Sequence, residues 1–317
     1  MIKPTVKNED GKKYINTDGR ELVIVKKDDR LVYLVYEDKN LVDIEIENEK
    51  ELPISTRCVG KVSNIAKDIN AAYILLPDKN KAFLKNAPAD LKCEQSVAVE
   101  ITRASSKGKL QSVSLIDCDI EHRSDLSIIE YGKRPFVKML EKYEFDRVLT
   151  DDINLYDTLI KYCSDNNVID LSKIILYNDS MVALNVLYSV SAALKEATSK
   201  TVWLKSGANI VIEETGAFTV IDVNSAKKDS KNFNSYLDIN EEAADEIFRQ
   251  MNLRNMSGII LVDFINMRSD ENKILLDRLK ELSKNQKSPT KVVDITLLGI
   301  AEITRKKEGV GLSEIFK

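Results

Sequence analysis

From residue 202 onward the chain alternates extended apolar runs with amphipathic segments of helical period, and few folds accept that order. The runs are residues 202–212, broken at Ser206-Gly207, then 217–223, 259–265 and 292–298. Between the second and third lies residues 238–255. There Ala243, Ala244, Ile247, Phe248 and Met251 fall on one helical face, and Asp238 with Glu241 has capping-box spacing. Between the third and fourth, Ser269 reads as the cap of a second helix with Ile274, Leu275, Leu279 and Leu282 inward. Strand–helix–strand–helix–strand predicts neighbouring parallel strands joined by right-handed crossovers. The run 259–265 has almost no polar interruption, which predicts a buried strand.

Two carboxylates in these runs stand out. Asp222 sits in Thr219-Val-Ile-Asp-Val-Asn-Ser225, and Asp263 in Ile259-Ile-Leu-Val-Asp-Phe-Ile265. An aspartate among apolar residues is costly unless its charge is paired or bound to a metal. Each lies near the carboxyl end of its strand, the edge where parallel α/β sheets bind ligands. Asn224, two residues beyond Asp222, shares its face and can orient a carboxylate or a water. Carboxylate oxygens plus water suit magnesium rather than zinc. A structural role, each aspartate accepting backbone N–H bonds at a strand end, is equally compatible with the pattern.

Composition narrows the chemistry. The only histidine is His122, so histidine triads and multi-histidine metal sites are excluded. Cys58, Cys93, Cys118 and Cys163 form no CxxC pair, which argues against zinc and against a disulfide framework. The polar start and the lack of an apolar run of roughly 18 residues predict a cytoplasmic protein without signal peptide or membrane span. A net charge of −4 does not favour nucleic acid, although a local basic face can sit on an acidic protein. Local basic patches occur at 107–109, 133–134, 227–228 and 305–307, each also readable as solvated surface.

The first half reads differently. Residues 1–18 form a polar leader. Strands follow at 21–26, 31–36 and 41–47, then five more near 57–65, 70–76, 81–85, 95–103 and 109–116. Five short strands in such a span suit an OB-fold barrel, or an unrelated small barrel. Residues 134–143, 153–165 and 182–197 read as helices and 174–177 as a short strand.

The order Val202-Trp-Leu-Lys-Ser-Gly207, then 219–226, Ile239-Asn-Glu-Glu-Ala-Ala-Asp-Glu-Ile-Phe-Arg-Gln250, Leu253-Arg254, 258–267 and Gly299-Ile-Ala-Glu-Ile-Thr-Arg-Lys-Lys307 resembles the catalytic core of the ribonuclease E/G family. Gly60-Lys61-Val62, Ala71-Ala72-Tyr73 and Ala82-Phe83-Leu84 resemble that family's RNA-binding barrel of the ribosomal-protein S-one type. The likeness covers roughly 20–317 and is strongest over 202–267. It implies an α/β plus β-barrel fold. An RNase H-like subdomain (19–52 and 121–200) would hold an inserted OB-fold (53–120), followed by a DNase I-like catalytic subdomain (201–317).

The resemblance also implies roles. Asp222 and Asp263 would hold catalytic Mg2+, with Asn224 supporting the first. Metal-activated water would cut single-stranded RNA to leave 5′-phosphate and 3′-hydroxyl ends. Tyr73 and Phe83 would stack bases, and Lys107, Lys109, Arg305 and Lys307 would approach the RNA backbone. Read without the resemblance, both aromatics suit a barrel core, Lys107 and Lys109 a solvated turn, and Arg305 and Lys307 a cap on the last element. Departures are Asn266 for a family aspartate and Leu297 for an arginine. The 5′-end-sensing domain of larger members has no room between 116 and 127, and no zinc-linking cysteine pair follows, so no zinc-linked tetramer is expected and a homodimer is left open. Competing readings are a non-catalytic single-stranded RNA-binding protein on this scaffold and a magnesium-dependent deoxyribonuclease.

Overall fold

A computed structural model describes residues 6–7, 13–14, 19–27, 29–105, 108–123, 125–215, 217–225, 235–307 and 310–315. The chain forms two compact units, residues 1–190 and 191–317. No helix among the described residues is long and apolar enough to cross a membrane.

In the first unit, the two-residue strands β1 (Val6–Lys7) and β2 (Lys13–Tyr14) pair antiparallel. A meander follows: β3 (Arg20–Lys27), β4 (Arg30–Glu37) and β5 (Asn40–Asn48). The last two join through Asp38 and Lys39, at φ +45° and +72°, the paired positive angles of a primed hairpin turn. Five strands come next: β6 (Arg57–Ala66), β7 (Ala71–Leu75), β8 (Lys81–Lys85), β9 (Ser96–Arg103) and β10 (Gln111–Leu115). They close as β6-β7-β8-β10-β9-β6, with β8 and β10 parallel and every other pair antiparallel. This closed barrel is compatible with an OB-like fold. Its interior holds Val62, Ala72, Ile74, Leu84, Val99 and Ile101.

The strand β11 (Ile128–Glu130) pairs with β6. Then come α1 (Pro135–Lys142), β12 (Arg147–Thr150), α2 (Ile153–Asn166) and β13 (Ile174–Leu176). β12 returns parallel to β3 and β13 parallel to β12, giving the order β13-β12-β3-β4-β5. Leu22, Ile24 and Tyr33 on this sheet pack with Phe136, Leu155 and Leu159 of the two helices. Each fully buried leucine or isoleucine contributes about 1.5–3 kcal/mol over exposure. An exposed ion pair such as Arg20–Glu37 contributes about 0–1 kcal/mol, so packing rather than pairing holds this sheet. The single helix expected over 182–197 is two, α3 (Leu184–Leu187) and α4 (Val190–Ala197), because Ser189 between them has φ +49°.

The second unit contains β14 (Thr201–Trp203), β15 (Asn209–Glu214), β16 (Phe218–Asn224), α5 (Tyr236–Leu253), β17 (Gly258–Asp263), α6 (Ser269–Lys284), β18 (Thr290–Ile295), β19 (Ile300–Arg305) and α7 (Leu312–Ile315). Sheet order is β14-β15-β16-β17-β19-β18. As expected, β16 and β17 are parallel neighbours joined by α5. The next crossover differs: β18 is not beside β17, because β19 lies between them, antiparallel to both. The chain turns at Thr296–Gly299, where Gly299 N donates to Thr296 O (2.9 Å) at φ +85°, instead of extending its strand to residue 298. Both helix caps also differ. Ser235, not Asp238, caps α5 by accepting from Asp238 N (3.2 Å). Ser269 is the first residue of α6, and Glu271 accepts from Arg268 N (3.0 Å).

One face of this sheet packs on α5 and α6 through Ile221, Ile260, Val262, Ala244, Phe248 and Leu275. The other faces outward: Phe218, Asp222, Ile259 and Asp263 are exposed. The burial expected of the 259–265 run therefore holds for one face only.

Arg305, expected at RNA phosphates, is 3% exposed. Its guanidinium donates to Met251 O (3.0 Å), Met256 O and Asn252 Oδ1 (3.0 Å), tying the end of α5 to β19. The reason is strand parity: Arg305 follows Ala301 and Ile303 on the buried side. Replacing Arg305 with alanine is expected to lower stability by about 2–3 kcal/mol, since buried acceptors lose their donor. Urea unfolding of wild type and Arg305→Ala reads this directly. A superimposable curve would mean that the arginine instead serves a ligand.

Candidate active site

Asp222 and Asp263 occupy matched positions on adjacent parallel strands. Strands in a sheet lie roughly 4.8 Å apart, so the two carboxylates leave the same face side by side. Strand alternation sends Ile221 and Val223 into the core and leaves Asp222 and Asn224 outside. The cost expected of an aspartate in an apolar run does not arise, because the run is apolar on both faces and buried on one. Asn224 Nδ2 donates to Asp222 Oδ2 at 2.9 Å. Among the described residues Asp263 has no ion-pair partner, and neither does Asp222.

Neighbouring elements fix this edge. Asn240, wholly buried on α5, donates through Nδ2 to Ile265 O (2.8 Å), and its Oδ1 accepts from Ile265 N (3.1 Å). That two-way bond clamps the backbone two residues beyond Asp263. Sequence reasoning did not single out Asn240. The available signal was its spacing, since it shares the helical face of Ala243, Ala244 and Ile247 where an unpartnered amide would be costly. Glu242 accepts from Lys205 N (2.8 Å) and Ser206 N (3.3 Å), holding the turn between β14 and β15.

On the other side, Ile300 is the register partner of Asp263, so the Thr296–Gly299 turn borders the pair. Leu297 and Leu298 in that turn are exposed. A Cβ at Gly299 would sit 3.3 Å from Asn266 Oδ1, which puts Asn266 against the same turn.

No group of three or more His, Cys, Asp or Glu able to hold a metal exists among the described residues. A pair of carboxylates is nonetheless what magnesium requires of a protein: it keeps several waters and is commonly held by one or two carboxylates plus substrate phosphates. The donor set suits that ion better than zinc, whose sites are built mainly from histidine nitrogen and cysteine sulfur.

In the barrel, Tyr73 and Phe83 are register partners on β7 and β8. Their rings meet edge to face, with centroids 5.9 Å apart. Both are half-exposed on the outer surface, while Ala72, Ile74, Ala82 and Leu84 point inward. Lys109 is exposed, and Lys107 lies outside the described residues. Lys307 is exposed and pairs with Glu314 at 3.2 Å. Arg254 is buried and donates to Gln250 Oε1 and Ser199 O, both 2.7 Å. Burial pulls its pKa down to about 10, still above neutrality.

Residues 100–308 match the profile of the ribonuclease E/G family. The chain is 32% identical over 264 residues to ribonuclease G of Escherichia coli (strain K12), covering 76% of this chain and 53% of that protein. It is 40% identical over 132 residues to ribonuclease E of Synechocystis sp., covering 41% of this chain and 20% of that protein. Ribonuclease G of Haemophilus influenzae is 37% identical over 161 residues, 49% of this chain and 32% of that protein. The chain thus spans about half the length of Escherichia coli ribonuclease G, and less of the other two. The family match covers more than half of the sequence, and the chain belongs to the ribonuclease E/G family.

Proposed function

We propose that this chain is a magnesium-dependent endoribonuclease acting on single-stranded RNA. The observation that carries the reading is the register pairing of Asp222 with Asp263, two exposed carboxylates without a cation partner among the described residues. Two like charges so close repel, and a divalent cation is the simplest relief. Asp222 and Asp263 would hold Mg2+, which when bound supplies charge neutralisation and Lewis-acid activation of water. Asn224 positions Asp222 through the bond from Nδ2 to Oδ2, leaving the other oxygen free to bind. The expected products carry 5′-phosphate and 3′-hydroxyl ends. The names of the relatives, ribonucleases E and G, support RNA as substrate, and we propose the cytoplasm as the place of action.

In this reading residues 201–317 form the DNase I-like catalytic part. Residues 19–52 and 121–200 form an RNase H-like part, with the OB-like barrel at 53–120 inserted. Tyr73 and Phe83 offer two adjoining aromatic faces on the barrel's outside, the usual means of gripping unpaired bases. Lys109 and, on release from Glu314, Lys307 would add phosphate contacts. Binding without cutting is a second reading, favoured by the burial of Arg305, which withdraws a cation from the surface, and by the exposed leucine at 297. One experiment separates the two.

Labelled single-stranded RNA is incubated with wild type, Asp222→Asn and Asp263→Asn, with magnesium and with excess chelator. Wild type with magnesium should cut internally, and chelation or either substitution should abolish cutting without altering the melt. A variant within about tenfold of wild type, a barrier difference of roughly 1.4 kcal/mol, would sink the assignment. The barrel is tested separately, by titrating RNA at fixed salt into Phe83→Ala. Affinity should fall by about 1–3 kcal/mol with little dependence on base identity. Unchanged affinity in a folded variant would remove Phe83 from the interface.

A further inference from the structure

The outward face that carries the acidic pair also carries an aromatic that the reading above leaves unused. Trp203 is the only tryptophan of the chain and is 71% exposed. On β14 its neighbour Val202 packs against the core, so Trp203 stands on the opposite face, the one that β16 gives to Asp222 and Asn224. The register confirms the alignment: Trp203 pairs with Asn209, and Asn209 with Asn224. Two strand spacings, roughly 9–10 Å, separate the tryptophan's strand from that of Asn224.

The platform is held firmly. Leu204, next in the chain, is buried and its N donates to Ala208 O at 2.9 Å. Glu242 then pins the following Lys205 and Ser206 amides. A solvent-facing indole on a braced strand end beside a candidate cleavage site is suited to a flat apolar ligand, and each nucleobase offers such a face. Trp203 also rims a groove beside α4 and α5, but Glu196, Glu242, Asp245 and Glu246 outnumber the basic residues there. Glu246 is paired with Arg249 and Asp245 with Arg278, so that groove offers no net positive charge to hold phosphates.

We propose that Trp203 is a base-stacking residue. The base of a nucleotide next to the scissile phosphate stacks on its indole while that phosphate lies over Asp222 and Asp263. This rests on the reading of the acidic pair as the cleavage site.

Because Trp203 is the sole tryptophan, its emission reports on this position alone. The full chain is titrated with single-stranded oligoadenylate, without divalent cation so that nothing is cut. Saturable quenching is expected, and an abasic ribose-phosphate chain of equal length should give much less. With magnesium, Trp203→Ala should raise KM roughly fivefold or more with little change in kcat, and Trp203→Phe should recover most of the loss. If wild type binds and cuts RNA while its emission stays constant and Trp203→Ala matches it, stacking is overturned and the cleavage reading stands. If wild type neither binds nor cuts, both fall. An emission shift that follows protein concentration without RNA would show the indole covered by a second copy, and would also overturn stacking.

Discussion

The parallel pairing of β16 with β17 is the constraint on which the candidate site depends. It sets Asp222 opposite Asp263, and it sends Ile221 and Val262 together into the core. Strand periodicity makes these two outcomes inseparable. A slip of one residue in either strand would bury a carboxylate and expose the apolar residue beside it. The burial energy of Ile221, Val223, Ile260 and Val262 therefore enforces the geometry of the acidic pair, although none of the four touches a ligand. Chemistry at this edge is positioned by packing beneath it.

The crossover between these strands runs through α5. Its apolar face meets the sheet through Ala243, Ala244, Ile247 and Met251. The small side chains Ala243 and Ala244 let the helix come close, and Asn240 on the same face then reaches the backbone of Ile265. A buried amide satisfied on both sides is worth keeping only where a backbone has to be held in one place. Here that place is the segment leaving Asp263. At the other end of α5, Arg305 and Arg254 bind carbonyls of Met251, Met256 and Ser199, so both ends of the helix are fastened to the sheet around it.

Strand periodicity made much of this legible in advance. The two apolar runs that Asp222 and Asp263 interrupt, with one crossover helix between them, place both near the carboxyl ends of neighbouring strands, and the barrel's five strands are legible within a residue or two of their ends. What failed was information that is not local. Nothing near residues 290–305 says that β19 enters the sheet between β17 and β18; only the sheet's own hydrogen bonding decides it. For Arg305 the sequence leaves a phosphate contact and a structural role both open, and strand parity decides for the second, since Ala301, Ile303 and Arg305 alternate on one face. The caps failed for a related reason. Ser235 and Asp238 are both acceptable caps, and packing of Leu237 and Ile239 on the core selects the earlier start.

The exposed side chains also bear on how an acidic chain would hold a polyanion. Of the four cationic residues expected at RNA, Arg305 is committed to backbone carbonyls and Lys307 to Glu314, while Lys109 stands exposed. The aromatics are less encumbered: Tyr73 and Phe83 on the barrel's outside, and Trp203 on the outward sheet face. Phosphate contacts release counterions and make binding steeply salt-dependent, whereas stacking on aromatics is short-range and tolerant of sequence. With a net charge of −4, long-range attraction contributes little to encounter with RNA. On the reading proposed above, affinity then resides in short-range stacking. The acidic pair is a net repulsion for the backbone until a cation occupies it, so metal binding would turn that edge from the least to the most favourable place for a phosphate.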